Sequence, residues 1–112
     1  MATQREAAVL RKVTAEAINS FATAQAAYGN WQSARSAADK MAGNAELMSR
    51  AYSLGEMGLP EVLTARRQAL ESTLSSAIAQ LDAVEARYRL LLDAHQLWAL
   101  DEDGDDAIQV HQ

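Results

Sequence analysis

The sequence predicts an all-α protein, a long antiparallel helical hairpin or coiled coil that assembles into a helical bundle. Three observations lead there. Of 112 residues, 49% are apolar, much of that alanine and leucine, with one proline, the composition of long helices and not of a β-sandwich. Two stretches repeat apolar residues at alternate steps of four and three. Between them lies a single strong interruption, Gly55-Glu56-Met57-Gly58-Leu59-Pro60. A chain of this length is one domain or a piece of one.

The first helix is expected over about residues 4–54. Thr3 and Glu6 have the spacing of a capping box, which starts a helix near Gln4. Gly29-Asn30 and Gly43-Asn44 are its weak points, each glycine costing roughly 1 kcal/mol against alanine, so a break near Gly29 or Gly43 is expected as an option. Residues 55–58 form the turn. Gly58 can cap the second helix, and Pro60 is tolerated in the first turn, where its missing N–H costs nothing. The second helix is expected over about 59–100. It should stop there, because Asp101, Glu102, Asp103, Asp105 and Asp106 oppose the macrodipole at a helix C-terminus. Residues 101–112 read as an acidic, loosely ordered tail. Unbroken arms would span roughly 60–75 Å at ~1.5 Å per residue.

The second helix carries a sustained heptad seam of Leu63, Arg67, Leu70, Leu74, Ala77, Leu81, Val84, Tyr88, Leu91, His95 and Trp98. Leu63, Leu70, Leu74, Leu81, Val84, Tyr88, Leu91 and Trp98 are its helix-packing positions. A parallel seam of small residues, Ala65, Ala69, Ser72, Ser76, Ala79, Ala83 and Ala86, continues into Leu90, Asp93 and Leu97. It lies two residues away, about 200° around the helix. The first helix repeats this more loosely, with Leu10, Thr14, Ala17, Phe21, Ala24, Tyr28, Trp31, Arg35, Ala38, Ala42 and Ala45 on one seam. Ala15, Asn19, Ala22, Ala26, Gly29, Ser33 and Ser36 form the seam behind it. Two seams on opposite sides mean two helical neighbours, as in a sheet of helices or a barrel wall. A compact bundle with alanines as surface helix formers is the plainer alternative. Either arrangement requires self-association or further sequence, since two helices alone close little core.

Charge and chemistry narrow the function. Residues 1–100 hold ten basic and ten acidic side chains, so the net charge of −5 belongs to the tail. A neutral body with an acidic end is a poor partner for nucleic acid. No stretch approaches the ~20 apolar residues of a membrane-spanning helix, and the N-terminus lacks the apolar run of a secretory signal. The chain has no cysteine, which removes disulfides, thiolate metal sites and cysteine nucleophiles.

The turn carries a resemblance. Ala51-Tyr52-Ser53-Leu54-Gly55-Glu56-Met57-Gly58-Leu59-Pro60-Glu61-Val62-Leu63-Thr64-Ala65-Arg66-Arg67 resembles the helix–turn–helix tip of TolC-type outer-membrane efflux proteins. Ala86-Arg87-Tyr88-Arg89-Leu90-Leu91-Leu92-Asp93-Ala94-His95-Gln96-Leu97-Trp98 is similar to the heavy-metal, cobalt–zinc–cadmium branch. The resemblance covers about residues 5–100 and implies the tunnel-helix hairpin of the second repeat. In the full channel this hairpin is one part of a trimeric periplasmic tunnel, and the chain itself is expected to be a C-terminal fragment or a separately encoded remnant. The localisation implied for the parent protein is outer membrane and periplasm. By the same resemblance, Tyr52, Leu54, Gly55, Glu56 and Leu59 belong to the tip that docks a periplasmic adaptor protein, with Tyr52 near the tunnel constriction. A plain tight turn plugged by Leu54 and Leu59 is the structural alternative. The implied transport is of metal ions or small toxic compounds. The implied partners are further copies, a trimer in the channel and a dimer or bundle for this chain alone.

The remaining chemistry reads as structural. His95 sits on the seam between Leu91 and Trp98, and one imidazole makes no metal site. The tail resembles a calcium loop, but its glycine stands at position four instead of six and Gln112 ends it where a bidentate glutamate belongs. Arg66 and Arg87 are explained by pairing with Glu61, Glu71, Glu85 and Asp93. Tyr28, Trp31, Tyr88 and Trp98 are expected to pack between the helices. No nucleophile–base set, phosphate loop or HExxH is present, so no enzyme, cofactor or metal site is expected.

Overall fold

The computed structural model describes the backbone of residues 2–110 and the side chains of residues 3–103. It is an all-α helical hairpin. Helix α1 spans Ala2–Ser53 and helix α2 spans Leu59–Val110, with no strand among the described residues.

Three boundaries differ from the sequence expectations. Helix α1 begins at Ala2, which leaves Thr3 inside the first turn and not at the cap. It runs without a break through Gly29 and Gly43, and Gly55 is the glycine with positive φ. A helix already propagating on both sides of an isolated glycine loses only its ~1 kcal/mol propensity cost there, less than re-nucleating a new helix costs. A Cβ at Gly29 or Gly43 would meet nothing within 4 Å. Gly29→Ala and Gly43→Ala are therefore each expected to stabilise the chain by about 0.5–1 kcal/mol, read as a rise in the urea midpoint. Helix α2 continues to Val110, ten residues past Leu100, through the acids at 101–106. Their interaction with the dipole costs only tenths of a kcal/mol each when exposed and screened, which helix propagation outweighs. The side chains of the calcium-like segment beyond Asp103 lie outside the described residues.

The turn is built from three backbone hydrogen bonds. The Leu54 amide donates to the Arg50 carbonyl at 3.1 Å, continuing α1 by one bond. The Gly55 amide donates to Tyr52 at 3.0 Å and the Glu56 amide to Ala51 at 2.9 Å. This nested pair is a Schellman motif, and it requires a left-handed residue just past the helix end. Gly55 supplies it, with φ of 76°. The Ser53 hydroxyl also donates to the Arg50 carbonyl at 2.7 Å. On the other side, the Gly58 carbonyl accepts the Val62 amide at 3.4 Å, opening α2 as its cap. Gly55→Ala is expected to cost about 1–2 kcal/mol. A Cβ there meets nothing within 4 Å, so the loss is one of backbone conformation, and Gly55→Asn should recover part of it in the same urea titration.

The chain divides into two compact units. In the unit Ala27–Ala83, the arms flanking the turn run antiparallel, and Arg66 donates from α2 to the Ser49 hydroxyl of α1 at 3.3 Å. Its core is small: Ala38 and Ala45 of α1 and Val62 and Ala65 of α2 are buried, and Trp31, Ala34, Met48, Ala69, Ser72, Ser76 and Ala79 are half-buried. In the unit Met1–Ala26 with Val84–Gln112, the buried position is Ser20. Its hydroxyl donates to the carboxylate of Asp93 on the opposite arm. Ala17, Ala24, Ala86, Leu90 and Leu97 are half-buried around this bond.

Candidate interaction surface

In both units the small-residue seam of α2 faces its partner arm and the bulky seam faces away. Ala65 through Leu97 on the small seam are buried or half-buried without exception. On the bulky seam, Leu63, Leu70, Leu74 and Leu81 stand exposed in the unit carrying the turn, Leu70 at 71%. Val84, Tyr88, Leu91 and Trp98 stand exposed in the other. Leu63, Leu70, Leu74 and Leu81 thus form an outward stripe within their unit, and Val84, Tyr88, Leu91 and Trp98 an outward set within theirs; none of the eight packs against α1 as core.

The inward face of α1 also departs from the expected seam. Ala17, Ala24, Trp31, Ala38 and Ala45 do turn inward, but they are joined by Ser20, Ala27 and Ala34. Phe21, Tyr28, Arg35 and Ala42, one residue further on, are exposed. In the unit Met1–Ala26 with Val84–Gln112, this rotation brings Ser20, and not Phe21, to Asp93. The expected packing of aromatics between the arms is accordingly not what forms. Tyr28, Tyr88 and Trp98 are exposed, and among the described residues the aromatic pair is Tyr28 edge-on to Trp31 within α1, centroids 5.8 Å apart at 73°.

The arginine pairing is set by helix geometry as well. The intrahelical ion pairs are Glu46–Arg50 at 3.2 Å, Arg67–Glu71 at 3.7 Å and Glu85–Arg89 at 3.9 Å, all four residues apart. Arg66 and Arg87 are five and two residues from Glu71 and Glu85, off the shared face, which corrects the pairing expected for them. The three exposed pairs are worth a few tenths of a kcal/mol each.

At the turn, Leu54 is 72% exposed, and Tyr52, Gly55, Glu56 and Leu59 are exposed around it. Leu54 and Leu59 therefore do not plug the end of the hairpin. Met57 is the half-buried residue there. Beside the turn, Asn44, Met48, Pro60, Glu61, Thr64, Ala65 and Gln68 line an open recess between the two arms. His95, with Leu91, Ala94 and Trp98, lines a shallow groove on the outward face of α2, so it is an exposed side chain and not a core one. Among the described residues, no three metal-ligating side chains converge, and no helix is long and apolar enough to cross a membrane. No family model, curated protein or solved structure matches the chain.

Sequence reasoning missed the Ser20–Asp93 bond, although a signal for it was present. Asp93 sits at an inward position of the small seam, and a carboxylate there needs a donor from the facing arm. What the hairpin presents is a leucine-rich side and an exposed apolar tip.

Proposed function

We propose that the chain serves as wall and tip of the periplasmic tunnel in an outer-membrane efflux channel component that transports metal ions or small toxic compounds. The observation that carries this reading is the outward stripe of α2. A lone pair of helices maximising its own burial would turn Leu70, Leu74 and Leu81 inward, each worth about 1.5–3 kcal/mol when fully buried. Here alanines meet instead, which lets the arms approach closely and leaves the bulky side for a neighbouring helix. A wall of helices needs that arrangement, with contact on two opposite sides of each member. The tip residues Tyr52, Leu54, Gly55, Glu56 and Leu59 are then the docking surface for a periplasmic adaptor, as the resemblance of the turn implies. A free-standing coiled-coil protein that homo-oligomerises is the second reading, favoured by the same stripe.

The test is a titration of the chain with a synthetic helical hairpin from a heavy-metal-type periplasmic adaptor, followed by calorimetry. Saturable binding is expected. Leu54→Asp should weaken it at least tenfold, since it places a charge at the centre of an apolar contact. Helicity should be unchanged, because Leu54 is solvent-exposed in the free chain. Equal binding by the variant would refute the tip assignment.

A further inference from the structure

Leu63, Leu70, Leu74, Ile78 and Leu81 lie exposed on α2 within the unit Ala27–Ala83, while Val62 and Ala65 of the same helix are buried against α1.

The charges beside the stripe say what covers it. In heptad terms, Leu63, Leu70 and Ala77 are d positions, and Arg67, Leu74 and Leu81 are a positions. The g positions hold Arg66, Thr73 and Gln80, and the e positions hold Thr64, Glu71 and Ile78. The pattern continues in sequence with Glu85 at e and Arg87 at g. One flank carries only basic charge and the other only acidic. In a parallel two-stranded coil, each g position faces the e position five residues on in the partner, so Arg66, which donates to Ser49 of its own α1 in the single chain, exchanges that neutral partner for the Glu71 carboxylate of the second copy, twice by symmetry. In an antiparallel coil g faces g and e faces e, so no register yields an attractive pair. Arg67, paired along its own helix to Glu71 at 3.7 Å, is the polar a position that limits the assembly to two strands.

We propose that α2 pairs with α2 of a second copy of this chain, parallel and in register, through the stripe Leu63–Leu81. The pairing is argued from the exposed stripe and its flanking charges, and it rests on the second reading above, the free-standing coiled-coil protein, because a trimeric tunnel wall would give this face of α2 to a different helix. It differs from a compact four-helix bundle, because the stripe lies nearly opposite the seam that already holds α1. The two α1 helices then lie on the outside.

The experiment uses the full chain at tens of micromolar, by light scattering and by disulfide cross-linking of single-cysteine variants in this cysteine-free sequence. A mass of twice 12.1 kDa is expected, and both Leu63→Cys and Leu81→Cys should cross-link to themselves on mild oxidation. An antiparallel pair can bring at most one of these positions to itself, and contact of the stripe with α1 of a second copy brings neither. Leu74→Asp should give a monomer of unchanged helicity. Arg66→Glu should raise the dissociation constant about two- to fivefold from the loss of two flanking pairs, and Arg66→Glu with Glu71→Arg should restore it. A monomeric parent chain overturns the proposal. So does an oligomer in which either cysteine fails to self-link, or one that survives Leu74→Asp. Adaptor binding is read separately, so a monomeric chain that still binds the adaptor would sink this pairing and leave the tip assignment intact.

Discussion

Ala65→Leu is expected to destabilise the hairpin by about 1–3 kcal/mol, measured by urea denaturation followed by circular dichroism. Ala65 is 4% exposed, on the face of α2 that turns toward α1. Three added carbons press on α1 unless the side chain turns into the open recess beside Pro60 that Ala65 lines, and that pressure moves the helices apart. The neighbouring alanine contacts then loosen together, because close packing transmits the shift along the seam. The same side chain placed at Ala77 should be tolerated, since Ala77 is exposed on the bulky stripe. Equal losses at both positions would mean that the arms do not meet on the small seam.

Asp93→Ala is expected to cost a comparable amount, about 1–3 kcal/mol. The Ser20 hydroxyl is 7% exposed and donates to the Asp93 carboxylate, so removing the acceptor leaves a buried donor without a partner. Ser20→Ala alone should cost less, because the half-buried Asp93 retains access to water. The double variant Ser20→Ala with Asp93→Ala should lie closer to the parent than Asp93→Ala does, since an apolar pair replaces the broken bond. Additive losses would show that the two side chains act independently.

Much of the fold was legible in the sequence, and the reasons are local. Gly55, Gly58 and Pro60 fix the turn because each satisfies a backbone requirement that few other residues meet. The heptad steps on α2 separate its two faces correctly, down to the individual residues of the small seam. Which face turns inward was not legible. Hydrophobicity alone would bury the leucines, and only the meeting of the two arms shows that alanines take the contact. The frame of α1 was misplaced by one residue for a related reason. Phe21 and Tyr28 are the larger side chains, yet both stand exposed, while Ser20 turns inward to Asp93. Helix ends were over-read from charge, since Asp101–Asp106 weaken the end of α2 too little to stop it at Leu100. At the turn, Leu54 and Leu59 stand exposed, so the plug that a tight turn suggests is not what forms.

The claim on which the rest depends is that the arms close on the small seam. Single cysteines at Ala42, Ala45 and Ala65 test it through their rates of maleimide alkylation. Ala45 and Ala65 are buried, whereas Ala42, less than one turn from Ala45, is exposed. Alkylation at position 42 should proceed at the rate of an unfolded control, and positions 45 and 65 should be slower by an order of magnitude or more, in line with the opening free energy that burial imposes. Comparable rates at all three, or faster reaction at 45 and 65 than at 42, would contradict the account.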